Sequence, residues 1–137
     1  MVEIAIAYQG GLRCRAEHGP SGVAIQTDAP LDNHGRGELF SPTDLVAAAL
    51  GSCILTILGI LAERHAVDLS GARAHVAKEM TSAPPRRIAR LTVNLSLPAT
   101  VPAELRPAFE KAARGCPVLA SLHPEIEETL TFTWDAA

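Results

Sequence analysis

The chain is 137 residues long with a mass of 14.4 kDa, a size that suits one domain and leaves little room for a second core. Hydrophobic residues make up 47% and charged residues 20% of the sequence, which argues against an intrinsically disordered chain. A net charge of −3 and an aromatic content of 4% argue against a nucleic-acid-binding protein, since that class needs basic groups and stacking rings. We therefore expect a single domain over residues 1–137 with an aliphatic core.

Three cysteines, Cys14, Cys53 and Cys116, are spread widely along the sequence. They form no CxxC pair, and no basic segment leading into an apolar one is present at the start, as a secretory signal would require. These features are typical of a cytoplasmic protein whose thiols stay reduced.

The first part of the chain alternates between apolar and polar residues, which is the pattern of β-strands with one covered face. Three antiparallel strands are predicted, at about residues 2–8, 11–18 and 22–28. Residues 29–40 mix proline, glycine, asparagine and aspartate without either period, so they are predicted to form a loop.

Helix-start signals converge immediately after this loop. Ser41 suits the N-cap, Pro42 suits the first helical position, and Asp44 lies in the first turn, where its carboxylate can reach back to the cap. The predicted helix then runs from Leu45 to Ala62 without a charged residue.

The apolar length of this helix reaches the lower limit for a membrane span. Gly51, Ser52, Thr56 and Gly59 dilute its apolar character, and a span would separate the first strands from later ones with which they are expected to pair. We therefore favour a buried central helix over a membrane helix. A helix that is apolar on every side needs cover on every side, which a homodimer with shared central helices would supply.

The second half of the chain carries both strand and helix signals. Strands are predicted at 72–80 and 88–97, followed by a short helix that Pro107 kinks or delays. A helix of one or two turns is predicted directly after Cys116, and a last strand at 126–134. The order βββ-α-ββ-αα-β is that of an α+β fold.

The positions of the three cysteines predict different properties for them. Cys53 lies inside the apolar helix, where the simplest interpretation is a small, buried and unreactive thiol. Cys116 lies at a helix start, where free N–H groups and the helix dipole favour the thiolate, so it is expected to be either the more acidic thiol or a plain capping residue. Cys14 is expected to face the core from its strand.

No metal or cofactor site is predicted. The five histidines show none of the i, i+3 or i, i+4 spacings that place two metal ligands on one helix face. The sequence also contains no glycine-rich phosphate loop and no dinucleotide fingerprint. The residues by themselves therefore indicate an α+β domain with a candidate two-thiol site.

Two segments of the sequence resemble the OsmC/Ohr family of osmotically inducible and organic hydroperoxide resistance proteins. They are residues 41–53, SPTDLVAAALGSC, and residues 115–118, GCPV. Together with residues 8–14 and 78–88, they are most similar to an OsmC-like branch that includes bacterial YhfA-type proteins. The resemblance implies an OsmC-like fold in which an antiparallel sheet wraps around a long buried central helix in an intertwined homodimer.

The resemblance also implies a chemistry. In this family, the cysteine on the central helix attacks the peroxide O–O bond and becomes a sulfenic acid, which a second cysteine converts to a disulfide. Cys53 matches the attacking, peroxidatic thiol and Cys116 the resolving thiol. The implied function is a thiol-dependent peroxidase for organic hydroperoxides, with hydrogen peroxide as an open alternative, that acts in oxidative-stress defence. An external thiol or a lipoyl-type reductant would restore the two thiols.

Helix position alone favours Cys116 as the attacking sulfur, whereas the resemblance favours Cys53. We follow the resemblance, because a nearby arginine would outweigh the effect of the helix start. The sequence departs from the family pattern at the start of the long helix. Characterised family peroxidases carry a glutamate there, paired with an arginine from the N-terminal region.

Thr43 stands at the position of that glutamate, with Asp44 one residue further along, about 100° around the helix. The matching arginine is Arg13 or Arg15. The catalytic set predicted for this protein is therefore Cys53, Cys116, Arg13 and Asp44. The alternative is a non-catalytic dimeric module that binds a small apolar ligand or senses redox state.

Overall fold

A computed structural model describes residues 1–136 of the protein. These residues form two compact units, Met1–Val46 and a second unit that begins at Ala47. Each unit contains a three-stranded sheet, and the long helix begins in the first unit and continues in the second. The expectation of one domain over residues 1–137 stays a prediction.

The sheet of the first unit consists of three consecutive antiparallel strands, β1 (Ile4–Gly10), β2 (Arg13–His18) and β3 (Ala24–Asp28). The three predicted strands are therefore confirmed, with ends that differ by about two residues. The turn between β1 and β2 needs left-handed backbone at Gly10 and Gly11, a conformation that glycine adopts without steric penalty.

The predicted loop at 29–40 contains one short 3-10 turn, Leu31–Asn33. Two backbone hydrogen bonds hold the loop to the end of β3. The N–H of Asp28 donates to the carbonyl of Phe40 at 3.1 Å, and the N–H of Gly37 donates to the carbonyl of Ala29 at 3.1 Å. The loop therefore returns the chain to the end of β3 just before the long helix begins.

The long helix, α1, spans Pro42–Arg64, so the predicted helix is confirmed. Its buried residues recur every three to four positions and lie on one face; they are Ala47, Leu50, Gly51, Ile54, Leu58 and Ala62. The opposite face is open, and Ile60 on it is 43% exposed. Residues 1–136 thus cover one face of α1 and leave the other open, although the apolar sequence of α1 requires cover on every side.

By length and composition alone, α1 is long and apolar enough to cross a membrane, with a mean hydropathy of 2.5 in its most apolar window. Core helices of soluble proteins have the same property. The buried stripe of α1 packs within the second unit, where a Cβ added at Gly51 would lie only 3.0 Å from Val76 Cγ2. A close approach of this kind is typical of a helix packed on a sheet.

The sheet of the second unit has the strand order β4 (Arg73–Met80), β5 (Ile88–Pro98) and β6 (Glu127–Ala136). The first two strands pair antiparallel, as expected. The third pairs parallel to β5, so the expectation of an antiparallel sheet is wrong at this strand. Parallel strands need a long crossover between them, and the helices between β5 and β6 provide one.

Two helices, α2 (Arg106–Ala113) and α3 (Pro117–Ser121), lie in this crossover. A 3-10 turn at Ala103–Leu105 precedes α2, and Pro107 lies in the first turn of α2. The predicted delay of the helix by Pro107 is therefore confirmed. The predicted short helix after Cys116 is also confirmed, as α3.

The core of the second unit is aliphatic apart from one aromatic residue, as the composition predicts. Phe109 on α2 is fully buried, and its ring meets that of Trp134 on β6 edge to face, with 6.1 Å between centroids. The other large buried side chains come from α1 and β5; they are Leu50, Ile54, Leu58, Leu91, Val93, Leu95 and Leu97. The core of the second unit thus includes side chains from α1, α2 and the sheet. Cys53 on α1 and Cys116 before α3 both belong to this unit.

Candidate active site

The second unit contains two cysteines, Cys53 and Cys116, which lie far apart in the sequence. Cys53 is on α1 and is half-buried, whereas Cys116 directly precedes α3 and is 0% exposed. The two thiols are close enough for Cys53 to raise the pKa of Cys116. The candidate active site is therefore built around a pair of neighbouring thiols, as the predicted roles of Cys53 and Cys116 require.

Cys116 is held in place by the start of α3. Its backbone is extended, with φ −69° and ψ 142°, and its Sγ accepts a hydrogen bond from the N–H of Leu119 at 3.2 Å. Pro117 follows at the first helical position, where its missing N–H leaves no donor unsatisfied. Cys116 is thus an N-cap residue, as its position in the sequence predicts.

Burial raises the pKa of the Cys116 thiol, and the adjacent Cys53 raises it further. Hydrogen bonds from the backbone N–H groups of Leu119 and Val118 act in the opposite direction, but burial is the largest effect. The expectation that the helix start lowers the pKa of Cys116 is therefore wrong. It considered the helix start alone and did not include the loss of water around a fully buried sulfur.

The raised pKa of Cys116 has a chemical consequence for the pair. A thiol that stays protonated is a poor nucleophile, but its S–H can donate a hydrogen bond to the neighbouring sulfur. Cys53 is that neighbour, and it is also the partly exposed residue of the pair. A fully buried, unreactive Cys53 was the simplest expectation from sequence, and its partial exposure argues against it.

The third cysteine, Cys14, belongs to the first unit. It lies on β2, opposite Tyr8 on β1 and Thr27 on β3, and is half-buried. Cys14, like the other two cysteines, is free of disulfide bonds. Because Tyr8, its neighbour on the same sheet face, is 66% exposed, the expectation that Cys14 faces a core is not met within the described residues, 1–136.

The structure distinguishes between the two candidate arginines. Arg13 Nη2 lies 3.3 Å from Asp28 Oδ2 and 3.3 Å from Glu38 Oε1, and the Arg13 side chain is 24% exposed. Arg15 instead pairs with Glu17 at 2.8 Å, on the surface. Arg13 is therefore held by two carboxylates and Arg15 by one.

Asp28 and Glu38 are residues that the sequence analysis did not identify. Asp28 lies directly opposite Arg13 in the pairing of β2 with β3, so the ion pair follows from strand register. Register depends on where the β2–β3 turn falls, which alternation alone does not determine. Asp28 is fully buried, and its Oδ1 has no hydrogen-bond partner within residues 1–136.

The pKa of Asp28 is lowered from its ordinary value of 3.8. The largest cause is the N–H of Glu38, which donates to Asp28 Oδ2 at 3.1 Å, and the positive charge of Arg13 adds to it. Asp28 therefore stays ionised at neutral pH although it is buried. In this way it links β2 to the last residues before α1.

Asp44 and Ser41 form a reciprocal cap at the start of α1. The N–H of Ser41 donates to Asp44 Oδ2 at 2.9 Å, and the N–H of Asp44 donates to Ser41 Oγ at 3.1 Å. The predicted reach of this carboxylate back to the cap is thus confirmed. Thr43 Oγ1 lies 3.3 Å from Ser41 Oγ, so the residue at the position of the family glutamate also belongs to this cap.

The four predicted site residues fall into two groups. Cys53 and Cys116 are neighbours in the second unit, whereas Arg13 and Asp44 lie in the first unit. A shared catalytic role for the two groups stays a prediction. Across residues 1–136, no cluster of three or more His, Cys, Asp or Glu side chains could hold a metal ion.

Residues 35–131 match the family model described as OsmC-like protein. The chain belongs to the OsmC-like family. This membership confirms the family resemblance and the α+β fold class, while the YhfA-type branch stays a prediction. No curated protein sequence matches the chain.

Solved structures of OsmC-like proteins are similar over almost the whole chain. One, from Psychrobacter arcticus 273-4, is named provisionally for osmotic stress induction and a detoxification response. It is 40% identical, with a TM-score of 0.90, and the match covers 97% of this chain and 96% of that chain. This level of identity independently shows the family.

Two more distant structures show the fold alone. An organic hydroperoxide resistance protein OsmC from Legionella pneumophila is 14% identical, with a TM-score of 0.77 and coverage of 97% and 96%. An organic hydroperoxide resistance protein from Elizabethkingia anophelis, with thiocyanate bound, is 16% identical, with a TM-score of 0.76 and coverage of 98% and 98%. The OsmC-like fold thus occurs in proteins named for hydroperoxide resistance.

The unequal burial of the two thiols predicts an order of alkylation in the reduced native protein. Iodoacetamide should modify Cys53 well before Cys116, because Cys116 is inaccessible and its raised pKa lowers its thiolate fraction at any pH. Trypsin separates the two thiols onto peptides 37–64 and 115–137, which mass spectrometry can quantify. The difference should disappear in urea, and faster labelling of native Cys116 would contradict its burial.

The lowered pKa of Asp28 predicts a pH-dependent effect of Asp28→Asn. The ionised carboxylate stabilises the fold above its ordinary pKa, and this contribution is lost as the pH falls through the lowered value of the folded protein. Asp28→Asn should therefore reduce the free energy of unfolding at neutral pH more than in strong acid, as measured by urea unfolding. The exposed acid Glu17 offers a control, Glu17→Gln, and an equal loss at both pH values would refute the ion-pair role.

Proposed function

We propose that this protein is a thiol-dependent peroxidase that reduces organic hydroperoxides in oxidative-stress defence. The observation that carries the proposal is the pairing of a half-buried Cys53 with a neighbouring, fully buried Cys116 whose pKa is raised. We place the protein in the cytoplasm, where both thiols would begin each cycle reduced.

The proposed cycle begins at the accessible sulfur. The Cys53 thiolate attacks one oxygen of the hydroperoxide, the O–O bond breaks, and the alcohol leaves with a proton, so that Cys53 becomes a sulfenic acid. The sulfur of Cys116 then attacks the Cys53 sulfur, water leaves, and a disulfide forms. An external thiol or lipoyl-type dithiol supplies the two electrons that restore both thiols.

The proximity of the two thiols favours this cycle over a cycle with one cysteine. A sulfenic acid formed on Cys53 would meet Cys116 before a second peroxide reached it, which protects against irreversible oxidation to the sulfinic acid. The names of the Legionella pneumophila and Elizabethkingia anophelis proteins, which share this fold, refer to organic hydroperoxide resistance. That shared description supports an organic peroxide as the substrate class.

Arg13 is the proposed arginine of the site, and its two carboxylate partners distinguish this chain from the family pattern. Thr43 cannot supply the charge of the family glutamate, and Asp44 uses its carboxylate in the cap of α1. We propose that Asp28 and Glu38 orient Arg13 instead. Asp44 would contribute by fixing the start of the helix that carries Cys53.

The second candidate function is a non-catalytic dimeric module that binds a small apolar ligand or senses redox state. The observation that favours it is the use of both Thr43 and Asp44 in the cap of α1, which leaves the helix start without a catalytic carboxylate. A protein of this kind would keep the thiol pair and yet consume little peroxide.

We also propose that the protein functions as a homodimer. One face of the first sheet is apolar and open, with Ile4 59%, Ile6 69% and Tyr8 66% exposed. Exposed apolar patches of this kind mark association surfaces, and a second copy would cover this one.

The dimer proposal predicts a native mass of about twice 14.4 kDa in sedimentation equilibrium. Ile6→Glu should weaken the association by at least about tenfold, because it would bury an unpaired charge in the interface. Ala7 lies on the other face of the same strand, so Ala7→Glu is the matched control and should leave the mass unchanged. A monomeric wild-type protein at high concentration would rule out the proposal.

The peroxidase proposal predicts that the wild-type protein consumes cumene hydroperoxide with dithiothreitol as reductant and that Cys53→Ser abolishes turnover. Cys116→Ser should keep the first reduction but lose turnover as Cys53 is over-oxidised, because the resolving sulfur is gone. Cys14 provides the matched control, since Cys14→Ser removes a thiol outside the pair and should keep turnover near the wild-type rate.

Peroxide consumption by Cys53→Ser at the wild-type rate would eliminate the proposed mechanism. Absence of turnover in the wild type, together with a small apolar ligand that is retained through purification and seen by native mass spectrometry, would favour the binding module instead. Peroxide consumption and native mass spectrometry of the wild type and its cysteine variants therefore distinguish the two candidate functions.

A further inference from the structure

The two sulfurs of the site differ in how they can be reached from solvent. Cys116 is 0% exposed, and its Sγ already accepts a hydrogen bond from the N–H of Leu119 at 3.2 Å. Cys53 lies beside it on α1 and is only half-buried. A molecule that approaches the pair from outside the chain therefore meets Cys53 first.

We infer that the thiol that reduces the oxidised protein attacks the sulfur of Cys53, with Cys116 as the leaving group, so that the mixed disulfide always forms on Cys53. This inference rests on the proposed two-cysteine cycle and assigns a direction to its reductive half. The partner that it specifies is a small thiol or dithiol with access to Cys53.

Reduction of the disulfide begins when the thiolate of the reductant forms a bond to Cys53 Sγ. The bond between Cys53 and Cys116 breaks, and its electron pair leaves on Cys116 as a thiolate. Cys116 then takes up one proton. A second thiol attacks the reductant sulfur of the mixed disulfide, which releases the Cys53 thiolate and a disulfide of the reductant.

Access to Cys53, and not the acidity of Cys116, gives the direction of attack, because burial raises the pKa of Cys116 and so slows its departure. The N–H of Leu119 points at the Cys116 Sγ, so part of this cost is offset as negative charge develops there and the S–S bond breaks. Once protonated, Cys116 stays so, because burial raises the pKa of its thiol. A protonated thiol attacks the mixed disulfide slowly, so the oxidised protein is not readily formed again before the second thiol arrives.

Attack on Cys116 would need a different event. Its sulfur would first have to be uncovered, by separation of α3 from the core around it. α3 has only five residues, Pro117–Ser121, and none of them is buried, so such an opening is the specific competing route. The two routes leave the reductant on different cysteines, which makes them distinguishable.

The experiment captures the first mixed disulfide with glutathione, which has one thiol. The full-length protein is oxidised with cumene hydroperoxide or, in parallel, with diamide, and is then exposed briefly to glutathione. The reaction is stopped with acid and free thiols are blocked with N-ethylmaleimide. Trypsin places Cys53 on peptide 37–64 and Cys116 on peptide 115–137, so mass spectrometry identifies which cysteine carries glutathione.

Glutathione should be found on peptide 37–64 in at least tenfold excess over peptide 115–137, with N-ethylmaleimide on Cys116. Equal amounts on the two peptides, or an excess on peptide 115–137, would overturn the inference. The same treatment in urea is the control, because unfolding should remove the preference if access causes it. A preference that persists in urea would overturn access as the cause.

The two oxidants separate this inference from the proposed function. A disulfide that forms with diamide but not with cumene hydroperoxide would count against the peroxidase, while the direction of reduction is still measured on the diamide-treated protein. Failure of both oxidants to join Cys53 and Cys116 would overturn the inference as well, since no disulfide would then exist for a thiol to attack.

Discussion

The burial of the Cys116 thiol beside Cys53 is the constraint on which the proposed chemistry of this protein depends. Cys116 caps α3 within the crossover that joins β5 to β6 and is fully buried. Cys53 lies two residues beyond Gly51, at which an added Cβ would be 3.0 Å from Val76 Cγ2 on β4. The packing of one core therefore gives two identical side chains different access to water, and that difference is sufficient to assign them different roles.

In the first unit, one buried carboxylate, that of Asp28, makes several polar interactions. Asp28 is buried and ionised, and it holds Arg13 on one side and the N–H of Glu38 on the other. A buried carboxylate needs donors of this kind, and here both of them act on Oδ2. Because Glu38 lies three residues before Ser41, the same carboxylate also ties the loop that leads into α1. The arginine and the start of the long helix thus depend on one buried acid.

Features with a local cause could be predicted from the sequence. Alternation located the strands, and Ser41, Pro42 and Asp44 located the start of α1, since capping involves neighbours in the chain. Parallel pairing of β6 could not be predicted, because alternation looks the same in either strand direction. The choice of Arg13 over Arg15 needed the register of β2 on β3, and the raised pKa of Cys116 needed its burial. Both depend on residues far away in the chain.

The departure at Thr43 can be understood on the same terms. A carboxylate at the start of a helix serves either the cap or a catalytic arginine, and here Asp44 and Thr43 both serve the cap. The arginine has its own acids in Asp28 and Glu38, which come from strand register and from the loop rather than from the helix. A change at one family position therefore need not remove an ion pair from the fold, because strands and loops can supply the same charge. α1 still carries Cys53, and the role proposed for Cys53 follows from the complete burial of its neighbour Cys116.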